Sequence, residues 1–299
     1  MSIYTSFPSS WCVVPVVRSL YETAYGVKTH YVSCGEGDPI VLVHGGGPGA
    51  SGATGWTHAL PALSKKFRVY APDLIGFGDS DKPTIEYSLQ TFVEHIAGFI
   101  DALNLKAVRL AGVSQGAYIA IKYVLDNPGR VKSVALISTG SVATACGLEA
   151  AAQTATRTGK FTRYFDASSK EAVRSFLEMI VNDKSKISDE LVELRYQNAR
   201  KPGHREMMDS VSRNRKLATD DPTYRQLWSI RERLVALRTP CCIIWGQDDR
   251  TAPLDPLGYG LKDLLPQIPF HIVPNSGHQV ENDQPEACNR ILLEHFLAH

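Results

Sequence analysis

The fold turns on residues 107–125, AVRLAGVSQGAYIAIKYVL. The first part, AVRLAG at 107–112, is a short apolar run, which suits a strand buried on both faces of a parallel sheet. The second, GAYIAIKYVLDNP at 116–128, is helical in pattern and stops before Pro128. Between them stand Gly112, Val113, Ser114, Gln115 and Gly116. A serine at the tip of such a sharp turn is held in strained backbone geometry, and small residues two before and two after let the turn close. The spacing GxSxG arises readily by chance. The strand before it and the helix after it make it a nucleophile elbow, with the hydroxyl exposed at the head of a helix.

Outward from this unit the pattern repeats. PIVLVH (39–44), FRVYA (67–71), SVALIS (133–138), CCIIW (241–245) and PFHIV (269–273) are further short apolar runs. VKTHYVS (27–33) alternates instead, which predicts an antiparallel edge strand with one wet face. SLQTFVEHIAGFIDALN (88–104) carries its apolar residues on one helical stripe. Strand–helix alternation of this kind predicts an α/β sheet with right-handed crossovers.

The alternation stops near residue 140 and resumes near 240. The block between shows helical patterns: 168–183 with a capping box at Ser168 and Glu171, 188–202 with Ser188 as N-cap, and 222–237 opening on Pro222 at N1. The expectation is one core domain, residues 1–140 and 235–299, interrupted by a helical cap at 141–234. Insertions of this kind lie over the carboxyl ends of the strands, where ligands bind.

Composition narrows the function. The 299 residues carry 32 Lys+Arg against 31 Asp+Glu, a net charge of +1. A balanced chain has no electrostatic footprint for nucleic acid or an anionic membrane. No apolar run approaches the length of a spanning helix, and the first residues, with no basic start and a short apolar stretch broken by Pro15, do not read as a signal peptide. The six cysteines (Cys12, Cys34, Cys146, Cys241, Cys242, Cys288) form no CxxC pair, which predicts reduced, mostly buried thiols. These features imply a cytoplasmic protein with a small-molecule partner, no nucleic-acid or membrane partner, no metal and no organic cofactor.

A serine nucleophile needs a base, and the base an orienting acid, in the chain order Ser, Asp or Glu, His on such a sheet. The loop after CCIIW offers Asp248 and Asp249, and the loop after PFHIV offers His278. The GxxD…P arrangement favours Asp249, leaving Asp248 to bond the turn or Arg250. The other histidines are in the wrong order or place; His44 reads as structural and His271 falls inside a strand. The glycine run His44-Gly45-Gly46-Gly47-Pro48-Gly49 follows a strand and can present N–H groups to a developing oxyanion, with the N–H of Gln115 as partner. It lacks the dinucleotide pattern and the Walker lysine and serine of a phosphate loop. The turn from Asp73 to Ser80 reads as structural.

HGGGPGASGATGW, DLIGFGDSDKP, GVSQGA, WGQDDRTAPLD and SGH, in this order, resemble the α/β-hydrolase superfamily. Within it, HGGGPGA followed by Trp56, and WGxDDRxxPLD, are similar to the meta-cleavage-product hydrolases, which cleave carbon–carbon bonds in aromatic degradation. The resemblance implies the α/β-hydrolase fold, a mostly parallel eight-stranded sheet with an inserted helical cap. It implies a triad of Ser114, Asp249 and His278, and an oxyanion hole of Gly46 and Gln115. LRYQNARKPG is similar to the segment carrying the family's substrate-binding arginine, here Arg195. Gly45, His58, Val113 and Gln279 fall at further substrate-binding positions. Three of these depart from the family pattern: Val113 and His58 stand where it has Asn, and Gln279 where it has Trp. The resemblance points to C–C bond hydrolysis of a carboxylate-bearing substrate. The same machinery serves a carboxylesterase, for instance on a phthalate half-ester, and the same fold serves a non-catalytic ligand receptor. Family members are often dimers or larger, so a homo-oligomer is compatible with the resemblance.

Overall fold

The computed structural model describes residues 18–148 and 167–299. Cys12, the amino-terminal stretch read against a signal peptide, and part of the expected cap lie outside these residues. Eight strands form one sheet: β1 (Arg18–Ala24), β2 (Val27–Cys34), β3 (Pro39–Val43), β4 (Arg68–Pro72), β5 (Val108–Val113), β6 (Val131–Ile137), β7 (Cys241–Gly246) and β8 (Phe270–Val273). Their order is β1-β2-β4-β3-β5-β6-β7-β8. β2 runs antiparallel to both β1 and β4, and every other pairing is parallel.

The six apolar runs coincide with β3–β8 to within two residues. The alternating segment corrects the edge-strand expectation. β2 lies inside the sheet, with its last six residues buried, and β1 forms the edge. Polar members of β2 are satisfied internally: the Thr29 hydroxyl meets His95 Nε2 at 2.8 Å, and Ser33 Oγ donates to Val69 O. Alternation in sequence therefore did not mean a wet face.

Helices cover both faces of the sheet. α1 (Leu89–Ala102) begins at a reciprocal cap, in which Ser88 Oγ accepts from Thr91 N and Thr91 Oγ1 from Ser88 N. It buries Phe92, Ile96, Phe99 and Ile100 against α2 (Gln115–Asp126) and the sheet. The opposite face holds Trp56, Leu63, Phe67, Leu292 and Phe296 in a second cluster. Fully burying a side chain of this size contributes about 1.5–3 kcal/mol, so the two layers clamp the sheet from either side.

The segment between β6 and β7 is a helical insertion. It includes α3 (Lys170–Ile180), α4 (Asp189–Ala199) and α5 (His204–Asp220). Ser188 caps α4 as expected, but α3 is capped by Ser169, one residue beyond Ser168. The expected helix 222–237 is two short ones, Pro222–Gln226 and Arg231–Val235, and α5 was not foreseen. Val173, Phe176, Leu177, Ile180 and Val192 form a small core of the insertion's own. Val142, Ala143, Ile230 and Leu234 pack into the main core, so both ends of the 141–234 span belong by packing to the sheet.

Candidate active site

β5 delivers Ser114 directly to the head of α2. Its backbone stands at φ 56°, a region that costs a non-glycine residue of order 1–3 kcal/mol. Surrounding bonds hold it there: Ser114 N donates to Ile137 O at 2.9 Å, and Ser141 Oγ donates to Ser114 O at 2.7 Å. The flanking glycines are required by contact. A Cβ on Gly112 would lie 2.2 Å from Gly116 O, and one on Gly116 2.2 Å from Val43 O. The sharp turn places Ser114 in a cavity also lined by Gly45, Gly46, Val113, Arg195, His278 and Gln279.

The loop after β7 sets Asp249 and Asp248 in different surroundings. Asp249 is buried, 4% exposed, and its Oδ2 accepts from His278 Nδ1 at 2.7 Å. Its Oδ1 accepts from Thr251 N, Thr251 Oγ1 and Ala252 N at 2.8–2.9 Å. Asp248 is exposed and engages the turn through its backbone, donating from N to Ser276 O. Burial disfavours a charged His278, but the charge of Asp249 and its hydrogen bond more than offset this, and the ring's pKa is raised. The loop before His278 is pinned by Asp283, which accepts from Gly277 N and, in the insertion, from Asn182 N and Asp183 N.

Ser114 Oγ makes no hydrogen bond within 3.5 Å among the described residues. In unliganded sites of this type the serine–histidine bond is often long and tightens when substrate binds. The N–H groups of Gly46 and Gln115 also have no acceptor among the described residues. Gln115 opens α2, where an N–H has no intrahelical partner. Gly46 lines the same cavity as Ser114, and Gln115 follows Ser114 in the chain.

His44 is structural, as expected. Its Nδ1–H donates to Gly45 O at 2.7 Å, and Leu74 N donates to its Nε2 at 3.0 Å. Burial lowers its pKa to about 4, so the ring stays neutral and ties the glycine loop to the turn after β4. Asp73 organises that turn, accepting from His30 Nδ1, Gly52 N and Asp79 N.

From the insertion, α4 contributes Arg195, 2% exposed. Its Nε donates to Pro48 O at 3.1 Å and its guanidinium lies over the Phe176 ring. It makes no ion pair among the described residues, and burial lowers its pKa to about 10, which leaves it charged. His58 corrects the expectation. It is exposed at the start of the short helix Ala59–Leu63, its carbonyl accepts from Asn289 Nδ2, and it does not line the cavity. The chain turns outward there because Trp56, fully buried, anchors the loop below it.

Sequence reasoning missed Phe176, Met179, Ile180, Thr251 and Arg215, all of which line the cavity. Arg215 had a signal. Met207, Met208 and Val211 mark the buried stripe of α5, and Arg215 falls four residues after Val211 on the same stripe. It also missed Glu281, 1% exposed, with no hydrogen-bond partner for either carboxyl oxygen among the described residues.

Comparison with known proteins identifies the family of the fold. The alpha/beta hydrolase fold family matches residues 38–280. The 2-hydroxy-6-oxo-2,4-heptadienoate hydrolase of Pseudomonas putida is 32% identical over 283 residues, which span 92% of this chain and 94% of that protein. A 2-hydroxymuconate semialdehyde hydrolase of a Pseudomonas species is 30% identical, covering 87% of each chain. Among solved structures, a mutant meta-cleavage product hydrolase from Pseudomonas fluorescens, complexed with acetates, superposes with a TM-score of 0.75. It is 31% identical, over 93% of this chain and 97% of that one. The chain therefore belongs to the α/β-hydrolase fold family, as a relative of its meta-cleavage-product hydrolases.

Proposed function

We propose that this protein is a serine hydrolase that cleaves a carbon–carbon bond next to a ketone in a small substrate bearing a carboxylate. The observation that carries the reading is the 2.7 Å bond from His278 to the buried Asp249, in a cavity that also holds Ser114 and Arg195. Asp249 keeps the proton of His278 on Nδ1, so Nε2 is free to act as base. His278 takes the proton of Ser114 or of a water that Ser114 orients, and the oxygen so activated attacks the ketone carbon. The N–H groups of Gly46 and Gln115 receive the oxyanion; one such donor is worth roughly 10²–10³ in rate. Ketonisation of a dienol substrate beforehand makes the departing carbon a stabilised carbanion equivalent, which takes a proton. The net change is addition of water across the C–C bond, giving one carboxylic acid and one C–H product. Arg195 anchors the substrate carboxylate.

A second reading has its own support. Val113 is apolar and lines the cavity, and Gln279 donates its backbone N–H to Ile180 O while its side-chain oxygen accepts from Asn282 Nδ2. A site with fewer free polar groups suits an ester, whose hydrolysis needs only the triad and oxyanion hole. A serine-directed fluorophosphonate tests what both readings share. Mass spectrometry should find the label on Ser114 and on no other serine. A protein that takes no label is a ligand receptor on this fold, and both readings fail.

A further inference from the structure

The glycine run that carries Gly46 is held at both ends by a buried histidine. At its start His44 bonds Gly45 O at 2.7 Å and Leu74 N at 3.0 Å. At its end Gly49 N donates to His204 Nε2 at 3.3 Å, and His204 Nδ1–H donates to Gly76 O at 3.2 Å. Each ring therefore ties the run to the turn after β4. Both rings meet the fully buried Phe77 edge to face, with centroids 5.2 and 5.7 Å away. The two ties differ in origin. His44 follows β3 in the core, whereas His204 is the first residue of α5 in the insertion.

His204 has company there. Asn198 Nδ2 donates to Gly49 O at 3.3 Å, and Arg195 Nε to Pro48 O at 3.1 Å. Proline has no N–H, so every backbone polar group of Pro48 and Gly49 is bonded by the insertion. The approach is close: a Cβ on Gly49 would lie 1.9 Å from Arg195 O. The His204 ring accepts from Gly49 and donates to Gly76 only while it is neutral. Burial, with Lys82, Arg195 and Lys201 as the charged groups around it, lowers its pKa to about 4 and keeps it so.

We propose that His204 is a positioning residue of the hydrolysis: from the insertion it fixes the far end of the glycine run, so that the N–H of Gly46 is aimed at the oxyanion formed beside Ser114. The insertion then belongs to the oxyanion hole. This rests on the proposed use of Gly46, and it holds for a C–C or an ester bond alike. A misplacement of about 1 Å in such a site costs on the order of 10²-fold in rate.

The test separates aim from folding. Fluorophosphonate labelling of Ser114, taken to completion, counts the intact sites. Turnover is read on a 2-hydroxy-6-oxo-dienoate and on a phthalate monoester. His204→Phe keeps a ring against Phe77 and loses both nitrogens. Its kcat per labelled site should fall about 10- to 100-fold, with KM within about threefold. The rate of labelling should fall with it, since the phosphonyl oxygen enters the same hole, and this rate decides where neither substrate is turned over. His204→Gln, whose amide can accept from Gly49 and donate to Gly76, should recover most of the loss. If His204→Phe does not fold, His204→Asn, which has no group at the Nε2 position, takes its place with the same expectation. An unchanged kcat and labelling rate per site, a change confined to KM, or no recovery in His204→Gln overturns the inference. A lower kcat per site on the ester, in an enzyme that leaves the dienoate intact, keeps this inference and sinks the C–C reading. Dienoate turnover that His204→Phe leaves unchanged per site does the reverse. A wild-type chain that neither labels nor turns over overturns both.

Discussion

Asp249 and His278 come from loops after different strands and meet at 2.7 Å, with the remaining oxygen of Asp249 held by three donors from Thr251 and Ala252. Three of the four bonds to Asp249 come from its own loop, so the loop itself orients the acid toward the ring. Asp249→Asn keeps the shape but can donate its own N–H, which favours the wrong tautomer of His278. It should cut kcat by about 10⁴-fold, as for other such triads. Asp248→Asn, at an exposed position, should leave kcat within about threefold. Steady-state kinetics on the pair checks the assignment; equal effects would show that the wrong acid was chosen.

The same contact sets the pH dependence. His278 must be neutral to accept a proton, and Asp249 raises its pKa above the usual 6.5. Activity should therefore rise with pH through an apparent pKa above 6.5. A pH–kcat/KM profile whose acid limb lies below 6 would contradict this.

Glu281 gives a stability prediction with a definite sign. Its carboxyl has a pKa near 8 in the fold against an ordinary 4.5. The folded state holds this proton between those values while the unfolded state releases it. The chain's stability from this group is complete below pH 4.5 and is lost as pH rises through 8. Glutamine has no such titration, so Glu281→Gln should gain on the parent from pH 5 to pH 8. The gain should be a few kcal/mol, since each tenfold change in proton affinity is worth about 1.4 kcal/mol. Urea unfolding at the two pH values reads it, and parallel curves at both would refute the assignment.

Gly116 tests the elbow. A Cβ there would lie 2.2 Å from Val43 O and 2.6 Å from His44 O, both backbone atoms of the neighbouring strand and loop. Gly116→Ala should cost about 3 kcal/mol or more. The midpoint in urea should fall accordingly, whereas Gly129→Ala, with open space around it but a positive φ, should cost about 1 kcal/mol.

Much of this was legible in the chain because strands buried on both faces are short apolar runs, and a strand–GxSxG–helix unit has few other readings. Ser114, Asp249 and His278 all follow such strands, so the sheet order alone brings Ser114 and His278 to one cavity, with Asp249 bonded to His278. β1 and the interior place of β2 were not legible, since antiparallel partners bury polar residues such as Thr29 and Ser33 through hydrogen bonds that composition does not reveal. Arg215 was hidden by its surroundings. α5 is polar along most of its length, and the one arginine that turns inward looks like its neighbours unless the stripe through Met207 and Val211 is followed. His58 was misplaced because the resemblance carried a position without the outward turn of the chain after Trp56.

The measurement that bears most directly on the account is turnover by the wild-type chain and by Ser114→Ala. The two substrates are a 2-hydroxy-6-oxo-dienoate, followed by loss of its yellow colour, and a phthalate monoester of similar size. The account predicts that the dienoate is cleaved with the higher kcat/KM and that Ser114→Ala loses about 10³-fold or more on it. Cleavage of the ester alone would contradict the carbon–carbon assignment, and undiminished activity in Ser114→Ala would contradict the nucleophile itself.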